Sequence, residues 1–222
     1  MAKHTIKSLL FVLVLQVAAP AVAGSIRGTV APLPGRPDAP ARYVTRTAAK
    51  PAHAENNAIS QVAVIVERTD SASEGAPPDA DTVPQVMAQE GTRFVPNLLI
   101  VPVGGVVSFP NHDPIFHNVF SYSPAKTFDL GRYPKGETRT VTFTQPGVIR
   151  VFCEIHSSMY ASIVVTNSPW HRLISTGEEF VFDDLPPGDY RILAADAAGR
   201  HTVMELTLQP DETRSIALAL EK

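Results

Sequence analysis

Short apolar runs interrupted by turn residues recur along this chain, and their spacing is that of strands rather than helices. Residues 25–30 read as one short strand and the unbroken apolar run 62–66 as another. Between them a stretch from 31 to about 57, with prolines at Pro32, Pro34, Pro37, Pro40 and Pro51, reads as linker, and 69–84, with the Pro77–Pro78 pair, as a second loop. Strands then crowd together. The pattern predicts them around 85–89, 98–103, 106–109, 138–144, 148–154 and 161–166, with turns at Gly104–Gly105, Pro134–Gly136 and Gln145–Gly147. A last group follows at 179–183, 189–194, 202–208 and 215–220. No internal repeat, heptad or long helix interrupts the series, so an all-β protein is expected. The expected organisation is 1–23 as a leader, 24–83 as N-terminal strands and linker, 84–167 as a central domain and 168–222 as C-terminal strands.

Composition sharpens this picture. Of the 222 residues 44% are apolar and 18% charged, enough to bury a core and too apolar for a disordered chain. A formal net charge of -3 leaves no basic footprint for nucleic acid or an acidic membrane. At the N-terminus, Lys3 and Lys7 precede an apolar run from Leu9 to Leu15 and the small residues Ala21 and Ala23. This is the pattern of a secretory signal peptide, so the mature chain is expected to begin at Gly24 and to act in the periplasm or outside the cell. A retained anchor is the alternative. No later apolar stretch approaches the about 18 residues of a membrane span. Export makes the single cysteine, Cys153, informative. It has no intramolecular disulfide partner, which leaves a thiol that is buried, paired between chains, catalytic or bound to metal.

Its neighbours decide among these. Cys153, His156 and Met159 lie within seven residues, and His117 lies upstream. Two imidazoles, one thiolate and a weak axial thioether form the compromise ligand set of a copper ion that cycles between Cu(II) and Cu(I). Strand alternation places Ile149, Val151 and Cys153 on one face, so the thiol is expected to enter the core while His156 and Met159 occupy the following loop. His117 is expected from a neighbouring strand or loop.

Residues 84–167 resemble the cupredoxins, the small blue copper proteins. The resemblance is carried by Phe94-Val95-Pro96, by the run from Val103 to Asn111, by Phe116-His117-Asn118-Val119-Phe120, by Gln145-Pro146-Gly147 and by Cys153/His156/Met159 in the short C-x2-H-x2-M spacing of amicyanins. It implies a Greek-key β-sandwich, one type 1 copper held by His117, Cys153, His156 and Met159, one-electron transfer and export. It further implies that Asn118 braces the copper loop, and that the partners are redox proteins such as a periplasmic dehydrogenase and a cytochrome. Ile149 departs from the family, where many members have Tyr. The flanks, at 26–30 and 180–190, resemble a transthyretin-like or carboxypeptidase-regulatory-like sandwich, into which the central domain would be inserted. One enlarged sandwich is the alternative.

Other chemistry is weaker. Ser123 and Lys126 match the S-x-x-K signature of penicillin-recognising enzymes, but the companion motifs are missing. A copper enzyme would need a second, open site whose histidines are not grouped here. The expected function is therefore a non-enzymatic electron carrier, with a copper carrier or scaffold lacking redox turnover as the alternative. His112 and Asp113 are expected to be solvent-exposed, and His53, His171 and His201 take no role.

Overall fold

The computed structural model describes residues 22–31, 61–70 and 83–221. Nearly all of the expected signal peptide, the linker beyond Ala31 and most of the loop 69–84 lie outside those residues.

The described residues are all-β. In chain order the strands are β1 (Gly24–Ala31), β2 (Gln61–Arg68), β3 (Gln85–Val86), β4 (Ala88–Gln89), β5 (Phe94–Val95), β6 (Leu98–Pro102), β7 (Val106–Pro110), β8 (His117–Ser123) and β9 (Lys126–Tyr133). They continue as β10 (Thr138–Thr142), β11 (Gly147–Phe152), β12 (Tyr160–Thr166), β13 (Trp170–Ser175), β14 (Glu179–Leu185), β15 (Gly188–Asp196), β16 (His201–Leu208) and β17 (Thr213–Ala219). Four of these, β5, β8, β9 and β13, are absent from the expected pattern. β9 and β13 are sheet edges, and their many exposed or half-buried positions blur the alternation that marks a strand. The single strand expected at 85–89 is instead two short ones. They part at the buried Met87, and β3 pairs with β7 while β4 pairs with β5.

Four sheets stack through three apolar layers. The five-stranded sheet β6-β12-β11-β8-β9 faces the three-stranded sheet β10-β7-β3 across a core that includes Phe109, Val119, Val151 and Ile163. The flanking segments build a second pair: β14-β1-β17 faces β13-β2-β15-β16 across Ile26, Val64, Phe180 and Ile192. Between the two pairs, Ala63 and Ile65 of β2 and Leu193 and Ala195 of β15 pack on Leu98 of β6 and Val164 of β12. This middle layer accounts for the unbroken apolar run 62–66. β2 is buried on both faces, so it needs apolar residues at every position where a half-solvated strand would alternate. β12 shows the same pattern, with all of Ala161–Thr166 buried.

Candidate metal centre

β11 alternates as its sequence requires, with Ile149 and Val151 inside and Arg150 outside. Cys153 follows directly and continues the inward set at 4% exposure. The chain then turns tightly. The Cys153 N–H donates to the Met159 carbonyl at 3.2 Å and the Met159 N–H donates to the His156 carbonyl at 2.9 Å, which ties the loop before β12 begins. β8 pairs beside β11 through Phe120 and Phe152, and this places its first residue, His117, against the loop.

Three of the expected ligands converge. Cys153 Sγ lies 3.7 Å from His117 Nδ1 and 3.8 Å from His156 Nδ1. The two rings stand edge to face, 4.8 Å between centroids, and the sulfur and both ring nitrogens fall within 4.8 Å of one another. His117 is fully buried and His156 is half-buried. The spacing suits a metal. An ion bonded at about 2.0 Å to an imidazole nitrogen and about 2.3 Å to a thiolate, with an angle of about 120° between them, would hold nitrogen and sulfur about 3.7 Å apart. Thiolate with imidazole is also the donor set that soft and borderline first-row ions favour. Met159 is 1% exposed and belongs to the same apolar cluster as Cys153.

Behind these residues lies a buried polar network. Asn118, 2% exposed, accepts a 2.7 Å hydrogen bond at Oδ1 from the Glu154 N–H, one residue past the cysteine. His112 is exposed, as expected, but Asp113 is not. Asp113 is 8% exposed and its Oδ2 sits 2.8 Å from His117 Nε2. Spacing alone gives no sign of this contact, because the loop has no period to follow. One local signal does exist. Asn111 accepts at Oδ1 from the Asp113 N–H at 2.9 Å, an Asx turn that folds the loop back over the histidine. Burial raises the Asp113 carboxyl pKa, yet hydrogen bonds from the Thr92 amide, the His117 ring and the Gly91 amide outweigh it and hold the group below the ordinary carboxylate range. Tyr133, also fully buried, donates to the Phe109 carbonyl at 2.9 Å and accepts from Gln89 Nε2 at 2.6 Å; burial pushes its phenol well above the usual value.

The remaining candidates stay apart from the site. Ser123 and Lys126 are partners across the β8–β9 hairpin, so the serine stands at no helix start, and its Oγ accepts from the Arg150 N–H at 2.9 Å. His171 and His201 each direct Nδ1 at a nearby backbone carbonyl, and His53 lies outside the described residues. Around the loop, Ile115, Phe116 and Ile155 are exposed at 42%, 56% and 41%.

No protein-family model matches the chain, and no curated protein sequence matches it. Solved structures do. A Cu(I) form of an amicyanin variant is 22% identical, with 46% of this chain and 99% of that one covered at a TM-score of 0.37. A purple cupredoxin from Nitrosopumilus maritimus is 22% identical over 38% of this chain and 100% of that one, with a TM-score of 0.33. A Cu-containing nitrite reductase from Thermus scotoductus is 25% identical over 42% of this chain at a TM-score of 0.37, and this chain spans 26% of that reductase's length.

Proposed function

We propose that the protein is an exported type 1 copper protein that carries one electron at a time and converts no substrate, with His117, Cys153, His156 and Met159 as ligands. The observation that carries this reading is the convergence of the Cys153 thiol and two imidazole Nδ1 atoms at 3.7 and 3.8 Å, at the buried end of a strand. Copper bound there supplies a Cu(II)/Cu(I) couple. The protein supplies the rest. Cys153 offers a soft sulfur from inside an apolar cluster, His117 closes the buried side, and the half-buried His156 ring gives the shortest route between site and solvent. Met159, in the same apolar cluster as Cys153, would offer a weak thioether donor to that ion.

No helix among the described residues is long and apolar enough to cross a membrane. A leader removed before Gly24 and action in the periplasm fit the Lys3/Lys7 and Leu9–Leu15 pattern at the N-terminus. The partners in this reading are redox proteins that dock transiently at the Ile115/Phe116/Ile155 rim, since apolar contacts of small area form and dissociate quickly. The test is the absorption spectrum of the purified protein with added Cu(II). An intense visible thiolate-to-copper band is expected, and Cys153→Ser should abolish it because an alkoxyl oxygen does not replace the covalent sulfur bond. A colourless copper complex would overturn the reading.

A further inference from the structure

A cleft of about 210 Å³ opens where the chain passes from β12 of one sheet pair to β13 of the other, walled by the ends of β2 and β12, by β15 and by the turn before β11. It is smaller than the cavities of about 300–1,000 Å³ that hold drug-sized ligands, and junctions between packed units are a common place for binding sites. Pro146, Val165 and Leu193 give it an apolar side. Its polar groups divide into those already engaged and those that are not. Arg68 donates to the two Asp70 carboxylate oxygens at 2.9 and 2.8 Å and reaches the Pro187 carbonyl at 3.3 Å. Ser168 gives its hydroxyl to the Val66 carbonyl. Glu67 uses one oxygen only. Its Oε1 accepts from the Thr166 hydroxyl at 2.9 Å, while Oε2 stands 4.0 Å from a terminal nitrogen of Arg191, too far for a hydrogen bond. Arg191 is the cross-strand partner of Glu67 on β2 and of Glu205 on β16, yet among the described residues its guanidinium donates no hydrogen bond. The half-buried Asn167 carboxamide likewise has no partner among the described residues.

We propose that this cleft binds a free α-amino acid with a small apolar side chain: Arg191 takes the α-carboxylate, Glu67 Oε2 takes the α-ammonium group, and Pro146, Val165 and Leu193 take the side chain. A guanidinium fork matches a carboxylate with two parallel N–H donors. An ammonium group only donates and an ionised carboxylate only accepts, so the two ends of the ligand are not interchangeable in the cleft. The free Glu67 oxygen and the Arg191 nitrogen lie 4.0 Å apart, and a zwitterion whose charges are carried on one carbon answers both at once. A simple acid or a simple amine would leave one of the two protein charges without its partner as the cleft closes off from water. Asn167 has an amide that donates and a carbonyl that accepts, so it serves whichever end of the ligand reaches it. None of these residues belongs to the proposed ligand set around Cys153, and the assignment does not rest on copper.

The test is titration of the full chain with L-leucine, followed by the methyl ¹H–¹³C NMR signals of Val165 and Leu193. Both signals should shift and saturate in the millimolar range or below. Isocaproate, which lacks the ammonium group, and isoamylamine, which lacks the carboxylate, should each bind about 10-fold or more weakly than leucine. Arg191→Gln and Glu67→Gln should each lose a similar factor for leucine. Leucine that leaves both signals in place would overturn the proposal. So would isocaproate binding as tightly as leucine, which would make the cleft a plain anion site, or folded variants that keep the wild-type affinity. If a variant does not fold, the three ligands on the wild-type chain decide.

Discussion

Each proposed ligand residue is held by a different local device. Cys153 is aimed by strand alternation, His117 by the register of β8 against β11, and Met159 by the backbone bonds that tie the loop. These devices explain which residues could be read in advance. The approach of Cys153 and His156 is legible because a three-residue spacing in one loop is a local property. His117 is legible as a chemical type, but its place emerges only once β8 pairs. The burial of Asp113 is hidden, since its carboxylate is held by Gly91 and Thr92, two residues from a separate turn. The buried thioether carries a prediction of its own. Met159→Leu should keep the visible band and raise the reduction potential, because loss of a weak axial donor disfavours Cu(II) more than Cu(I). Potentiometry showing no shift would remove Met159 from the ligand set.

Among the elements, interior strands announce themselves and edges do not. β2 and β12 are apolar at nearly every position because both faces are covered, whereas β9 and β13 mix polar and apolar residues at sheet margins. β1 shows how close the packing becomes where two strands flank a third. It pairs with β14 on one side and, in parallel, with β17 on the other. A Cβ at Gly28 would lie 2.5 Å from the Ile216 carbonyl oxygen and 2.8 Å from the Phe180 ring. The carbonyl belongs to the paired strand and has no room to retreat. Gly28→Ala should therefore destabilise the protein by about 1–3 kcal/mol, measured by chemical denaturation. The copper spectrum should remain unchanged, since β1 contributes nothing to the core around Cys153. A variant as stable as wild type would show that β1 and its neighbours adjust more freely than their register implies.

For the whole molecule the decisive feature is the middle apolar layer, where Ile65 and Leu193 meet Leu98 and Val164. The apolar run 62–66 hints at burial on two sides, but which surface covers it is a long-range property that no local pattern carries. Ile65 is fully buried there, so Ile65→Ala should cost about 2–5 kcal/mol. Trp170, the single tryptophan, reports on the flanking sheets by fluorescence, and the copper band reports on the other pair. The two signals should be lost together on denaturation in wild type, and the variant should shift both midpoints. Separate transitions would mean that the two sheet pairs unfold independently. The same layer has a kinetic consequence. Roofing one flank of the sandwich around Cys153 removes a set of approach directions, so under the proposed function an electron-transfer partner that grips a sandwich broadside would find that side taken. A partner that meets only the end carrying Phe116 would lose nothing, and encounter orientation would then be selected by obstruction before any attractive contact is made.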